Sequence, residues 1–130
     1  MTKSLSVPIS PGELLDKISI LEIKVERIGD PYKRANVERE LDLLTGLWHA
    51  EAGETAEVTA RRAELKVINE QLWDIEDAIR ECDRSGDFGE RFVELARSVY
   101  RINDRRAETK RAINDLLGSA IIEEKSYAAY

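Results

Sequence analysis

All three prolines of this 130-residue chain, Pro8, Pro11 and Pro31, lie in its first quarter. After Pro31 no residue lacks a backbone donor or clashes with a helical turn. That stretch is rich in Glu, Arg, Ala and Leu and poor in β-branched residues, which favours helices over strands. The expected fold class is all-α. A chain of this length is expected to form a single domain over residues 1–130 and to bury a core without a metal. Its lone Cys82 excludes an internal disulfide.

Local signals divide the chain into four main helices. Residues 1–9 read as an extended N-terminal arm, because Val7-Pro8-Ile9 resists helix formation. Ser10-Pro11-Gly12-Glu13 is a capping box, with Ser10 at N-cap, Pro11 at N1 and Glu13 placed to reach back. Helix 1 then carries Leu14, Ile18, Leu21, Val25 and Ile28 on one seam, with Leu15, Ile20 and Ile23 off it. A helix apolar on more than one face needs several partners, so helix 1 is either central or part of a dimer interface. Asp30 and Pro31 open helix 2, whose seam is Val37, Leu41, Leu44 and Trp48, flanked by Leu43 and Leu47. Ala52 to Thr55 is the next break.

Helix 3 is expected over 56–84, with Leu65, Ile68, Leu72, Ile75, Ile79 and Cys82 at coiled-coil spacing. Arg84 to Asp87 is a tight turn. Helix 4 follows to Gly118, with Phe88, Phe92, Leu95, Val99, Ile102, Ile113 and Leu116 on one stripe, interrupted at Arg106 and Thr109. The C-terminal tail, 119–130, is expected to add a helical turn or dock over the bundle. The predicted architecture is an antiparallel bundle of two helical hairpins, the helix 3–helix 4 hairpin being the longer.

With 26 acids against 20 bases the net charge is −6, which disfavours phosphate-backbone contacts and so excludes nucleic acid as an expected partner. Arg97, Arg101, Arg105, Arg106, Lys110 and Arg111 form a basic exception that reads either as a solvated helix face or as an anion site. No apolar run is long enough to span a membrane, and the start lacks the apolar core of a signal peptide. The expected location is cytoplasmic, with no membrane partner.

Because the hairpin turns near residue 86, facing positions on helices 3 and 4 have numbers summing to about 172. One flank then gathers Glu64, Gln71, Asp74 and Glu81 with Arg91, Arg101, Arg105 and Glu108, an ordinary solvated surface. The other sets Lys66, Asn69, Trp73, Glu76 and Arg80 against Val93, Ala96, Tyr100, Asn103, Ala107 and Lys110, with Trp73 beside Tyr100 and Asn69 beside Asn103, a turn from Arg106. Its aromatics and alanines suit a covered surface, and helices 1 and 2 are the expected cover. Asp16, Lys17, Glu22 and Lys24 of helix 1 are within reach if that helix lies alongside. Buried polar groups there must pair among themselves or serve a ligand. In the ligand reading, Arg106, Lys110 and Arg80 hold an anion, Trp73 and Tyr100 stack on a ring, and Glu76 or Asp16 acts as a base.

Other motifs are weaker. Acid pairs such as Asp74/Asp77 and Glu90/Glu94 resemble Mg²⁺ ligands on bundle helices, but a chain this acidic makes many by chance. A di-iron site needs two Glu-x-x-His motifs, and the chain has one His. Asp83, Ser85, Asp87 and Glu94 imitate a calcium loop, except that Phe88 stands where Gly is required. His49 is expected at the surface and Cys82 in the core. No metal site or cofactor is expected.

The segments 7–24 (VPISPGELLDKISILEIK), 72–77 (LWDIED), 95–107 (LARSVYRINDRRA) and 118–127 (GSAIIEEKSY) resemble a small bacterial all-helical family of unknown function. The resemblance covers nearly the whole chain except about 45–62. It includes Trp73, Glu76, Asp77, Tyr100, Asn103, Asp104, Arg106 and Lys110, and also Glu123, Glu124, Lys125 and Tyr127, which implies an ordered tail. Members of that family lie beside glycosyltransferase and tetratricopeptide-repeat proteins, which implies a link to surface-glycan metabolism. No activity accompanies it. The expected function is a binding or assembly module, homodimeric through helix 1; the alternative is an enzyme or sensor for an anionic, phosphorylated or sugar-nucleotide-like molecule.

Overall fold

A computed structural model of the protein describes residues 3–51 and 53–129. Met1 and Thr2 of the expected arm, Ala52 of the second break and Tyr130 of the tail lie outside the described residues. These contain four helices, α1 (Pro11–Arg27), α2 (Pro31–Glu51), α3 (Ala56–Ser85) and α4 (Glu90–Leu116), and no strand. The all-α bundle read from the sequence is the fold observed.

The helix boundaries follow their local chemistry. Ser10 Oγ accepts from Glu13 N at 3.2 Å, but the Glu13 carboxylate pairs with Lys110 of α4, so the reciprocal half of the capping box is spent on a tertiary contact. Asp30 Oδ1 accepts from the first amides of α2, and Thr55 Oγ1 caps α3 through Val58 N. Gly86 ends α3 at φ 74°, a left-handed conformation that favours glycine. Phe88 falls in the loop before α4 and is 58% exposed, with its ring edge-on to Phe92 at 5.2 Å. It therefore lies outside the helical stripe to which its spacing assigned it.

Helix α1 is central: its backbone lies against α2, α3 and α4, whereas the α2 backbone lies only against α1 and Trp48 joins it to the core shared with α3 and α4. Leu14, Leu15, Ile18, Trp48, Val58, Leu65 and Ile113 form the buried core, with Ile9, Leu41, Leu44 and Leu117 packed around it. Ile23, off the main seam, is also buried within the chain, and Ile20 is half-buried. The central reading of helix 1 is the one realised, and its second apolar face is largely consumed internally.

The helices differ in length, and this shapes everything above the core. At 1.5 Å per residue, α1 is about 25 Å long and α3 about 45 Å. Lys66–Glu26 and Arg27–Asp74 ion pairs, at 2.7 and 2.6 Å, tie the end of α1 to the middle of α3. Beyond that point the α3–α4 hairpin continues without cover from α1 or α2. Leu65, Ile68 and Asn69 are buried below it, whereas Leu72, Ile75 and Ile79 are only half-buried above. Cys82 is the exception, 1% exposed beside the turn.

Glu54 fastens α2 to α3. It accepts from Thr59 Oγ1 at 2.7 Å, Trp48 Nε1 at 2.8 Å and Arg62 Nη1 at 3.1 Å. The Thr59 and Trp48 hydrogen bonds, aided by the Arg62 charge, hold its carboxyl below its ordinary value of 4.5. A lowered acid contributes stability that is complete above pH 4.5 and is lost as pH falls through the folded value. Glu54→Gln is expected to flatten the acid limb of the stability–pH curve below about pH 4.5, read by Trp fluorescence during urea unfolding; an unchanged limb would contradict this.

Gly12 marks the closest approach of α1 to α4. Its amide donates to Asn114 Oδ1 at 2.7 Å, and a Cβ there would overlap the Lys110 carbonyl and sit 2.8 Å from Asn114 Oδ1. Gly46 in α2 faces open space. Gly12→Ala is expected to destabilise the protein by about 1–3 kcal/mol through overpacking. Gly46→Ala is expected to stabilise it by about 0.5–1 kcal/mol through helix propensity. Urea denaturation of both variants checks the pair.

Candidate functional site

The α1 face turned toward the hairpin carries Asp16, only 1% exposed. Its carboxylate accepts a two-pronged contact from Arg106 of α4: Nε reaches Oδ1 at 2.9 Å, and Nη2 pairs with Oδ2. Asn69 of α3 donates to the same Oδ1 at 2.9 Å and to Ser19 Oγ at 2.7 Å, and Ser19 Oγ donates to the Asp16 carbonyl. One carboxylate thus joins three helices. The hydrogen bonds to Asp16 raise the Arg106 guanidinium above its ordinary value despite partial burial. Arg106 interrupts the apolar stripe of α4 because it is needed here, and Thr109, the other interruption, closes onto the Arg105 carbonyl.

A turn away, Lys110 is buried between Glu13 of α1, at 2.7 Å, and Glu123 of the tail, at 2.9 Å. Burial alone would lower this ammonium, but hydrogen bonds to the two carboxylates outweigh it and leave it raised above 10.5. The stability it contributes is therefore present below pH 10.5 and lost only as pH rises through the higher folded value. Among the described residues no buried side-chain polar atom lacks a hydrogen-bond partner.

The hairpin ruler fits at its lower end, where Ala60 shares a cleft with Ala112 and Glu64 shares one with Glu108, but not at Trp73 and Tyr100, which it set side by side. The predicted site residues nevertheless separate. Trp73, Glu76, Arg80 and Arg106 line a cleft of about 540 Å³ beside Ile20 and Ile23. Tyr100 and Asn103 line another of about 850 Å³, closed on its far side by Lys125 and Tyr127 of the tail. Trp73 instead has the Arg27 guanidinium 5.8 Å from its ring, and Arg101 lies 6.0 Å from the Tyr100 ring. Glu76 and Arg80 are exposed and pair with each other at 3.6 Å, and Lys17 is exposed near Glu13. The expected cover reaches Asn69, Arg106 and Lys110, whereas Glu76, Arg80, Val93 and Ala96 stay exposed, because α1 ends and the α2 backbone does not lie against the hairpin.

Ser19, Asn114, Glu13 and Glu123 were not among the candidate site residues. Their signals were faint but physical: a Ser on the apolar side of helix 1, and a Gly in a first turn where it weakens a helix. His49 is exposed, and Cys82 has Arg91 Nη1 4.0 Å from its sulfur. Among the described residues no group of three or more His, Cys, Asp or Glu gathers as metal ligands. Among the described residues no helix is long and apolar enough to cross a membrane.

Asp16→Ala strands the Arg106 guanidinium and is expected to cost about 3–5 kcal/mol. Asp16→Ala combined with Arg106→Met is expected to cost less than the sum of the single changes, because no charge is left buried alone. Additive losses in a denaturation double-mutant cycle would show that the pair does not act as a unit.

No curated protein and no solved structure matches the chain. The family of unknown function DUF6165 matches residues 5–130, including all four helices and the docked tail. The chain belongs to that family.

Proposed function

We propose that this protein is a helical binding and assembly module that works as a homodimer, with the upper half of the α3–α4 hairpin as its interface. The observation that carries the reading is the uncovered seam. Ile75, Ile79 and Leu95 are half-buried beyond the end of α1, and Val93 is 50% exposed, while Leu72 and Val99 at the edges of the seam border α1 and the tail. Two helices alone enclose such a seam poorly, and a second hairpin would complete a four-helix layer. The surface also carries both signs of charge, since Glu76, Asp77 and Arg80 line one cleft, so a two-fold copy can set acids against bases. Because α1 packs against three helices of its own chain, the hairpin offers the more open face to a second copy, with helix 1, the interface read from the sequence, as the alternative. The setting beside surface-glycan metabolism implied by the resemblance is retained as the cellular context of this proposal.

Sedimentation equilibrium should give twice the chain mass of 14.8 kDa for the wild type. Val93→Glu, at an exposed position, should give 14.8 kDa with unchanged helical circular dichroism. A wild-type protein that sediments at the single-chain mass contradicts the proposal.

A further inference from the structure

The C-terminal tail leaves α4 at Leu117, and after Gly118 the chain runs back along that helix. Glu124 lies 3.6 Å from Arg111, Glu123 pairs with Lys110, and Tyr127 comes to the cleft lined by Tyr100. Two recesses open between tail and helix, and both are lined by Asn103 and Lys125. The larger is walled by the two tyrosines. The smaller, about 230 Å³, is almost wholly polar and gathers Lys110, Lys125 and Arg106 against Glu13 and Glu123.

The members of this cluster are not held equally. Arg106 is committed to Asp16, and the Lys110 side chain is 9% exposed, whereas that of Glu123 is 48% exposed. Glu123 is therefore an exposed carboxylate resting on a buried cation, and it is the partner most easily exchanged. A phosphate monoester carries more negative charge than a carboxylate and offers three acceptor oxygens. It could replace Glu123 without leaving Lys110 unpaired at any stage, since Glu13 stays in place. Lys125, whose ammonium lies 5.8 Å from the Tyr127 ring, stands between the polar recess and the aromatic one.

We propose that the groove between α4 and the tail binds a small phosphate monoester that carries a ring. The phosphate takes the place of Glu123 on Lys110 and also pairs with Lys125, and the ring stacks against Tyr100 and Tyr127. The site lies on the helix–tail seam and borders the proposed hairpin interface at Val99, which lines the larger recess. The tail is then both a wall of the site and an internal competitor for it.

The test is isothermal titration of the full-length protein with phenyl phosphate, with inorganic phosphate and phenol as separate arms. Phenyl phosphate should bind at least tenfold more tightly than inorganic phosphate, and phenol should not bind measurably. Lys125→Met should weaken phenyl phosphate by about tenfold, the loss of one charge-assisted hydrogen bond. Glu123→Gln should tighten it, because the competing carboxylate is gone, and Tyr127→Ala should weaken phenyl phosphate while leaving inorganic phosphate unaffected. All three positions are exposed, so circular dichroism should remain that of the wild type. Phenyl phosphate binding no tighter than inorganic phosphate, weaker binding by Glu123→Gln, or no binding of either at millimolar concentration overturns the proposal.

Discussion

A carboxylate that is 1% exposed must have its lone pairs answered by donors, and around Asp16 that requirement fixes where three helices stand. Arg106 reaches it from α4 and Asn69 from α3, and Asn69 also holds Ser19 one turn along α1. The apolar contacts of Leu15, Ile18, Leu65 and Ile113 supply non-directional attraction that would tolerate small slips of one helix on another. The forked guanidinium contact does not tolerate them. Close approach at Gly12 and the Lys110–Glu13 pair repeat the constraint one turn lower, between α1 and α4.

Above this lock the molecule changes character, and the cause is length. α1 ends at Arg27, where Asp74 and the Trp73 ring meet it, and the hairpin continues upward for several more turns. The lower half is a closed core with paired polar groups. The upper half is a two-helix arm with an apolar seam and mixed charge. The tail adds a second open surface by lying along α4 without merging into the core. The proposed binding surfaces lie where the helices fail to cover one another, whereas Asp16, Asn69 and Ser19 at the centre pair with one another and with Arg106.

Much of the lower architecture was legible in the chain. Ser10, Asp30 and Gly86 are chemical punctuation whose effects are local, so they mark helix ends without knowledge of the rest. The antiparallel ruler followed from a single turn and placed Ala60 near Ala112 and Glu64 near Glu108, but Trp73 and Tyr100, which it set side by side, line different clefts. Long-range choices were not legible. Glu13 could cap its own helix or reach Lys110, and only the packing of α1 on α4 decides for Lys110. Arg106 and Asn69 could face a ligand or another side chain, and both reach the carboxylate of Asp16, a partner 90 residues from Arg106 that spacing does not reveal. The separation of Trp73 from Tyr100 depends on where α1 stops and where the tail lies, and neither distance is encoded in periodicity.

The central claim is that the Asp16–Arg106 contact closes the lower half of the bundle as one cooperative unit. Native-state hydrogen exchange of wild type and Arg106→Met tests it most directly. The account predicts that protection falls together in α1, in α3 below Leu72 and in α4 beyond Asn103. Amides near Phe92 to Val99, above the lock, should change little. Loss of protection spread evenly along the hairpin, or confined to the few amides around residue 106, would contradict it.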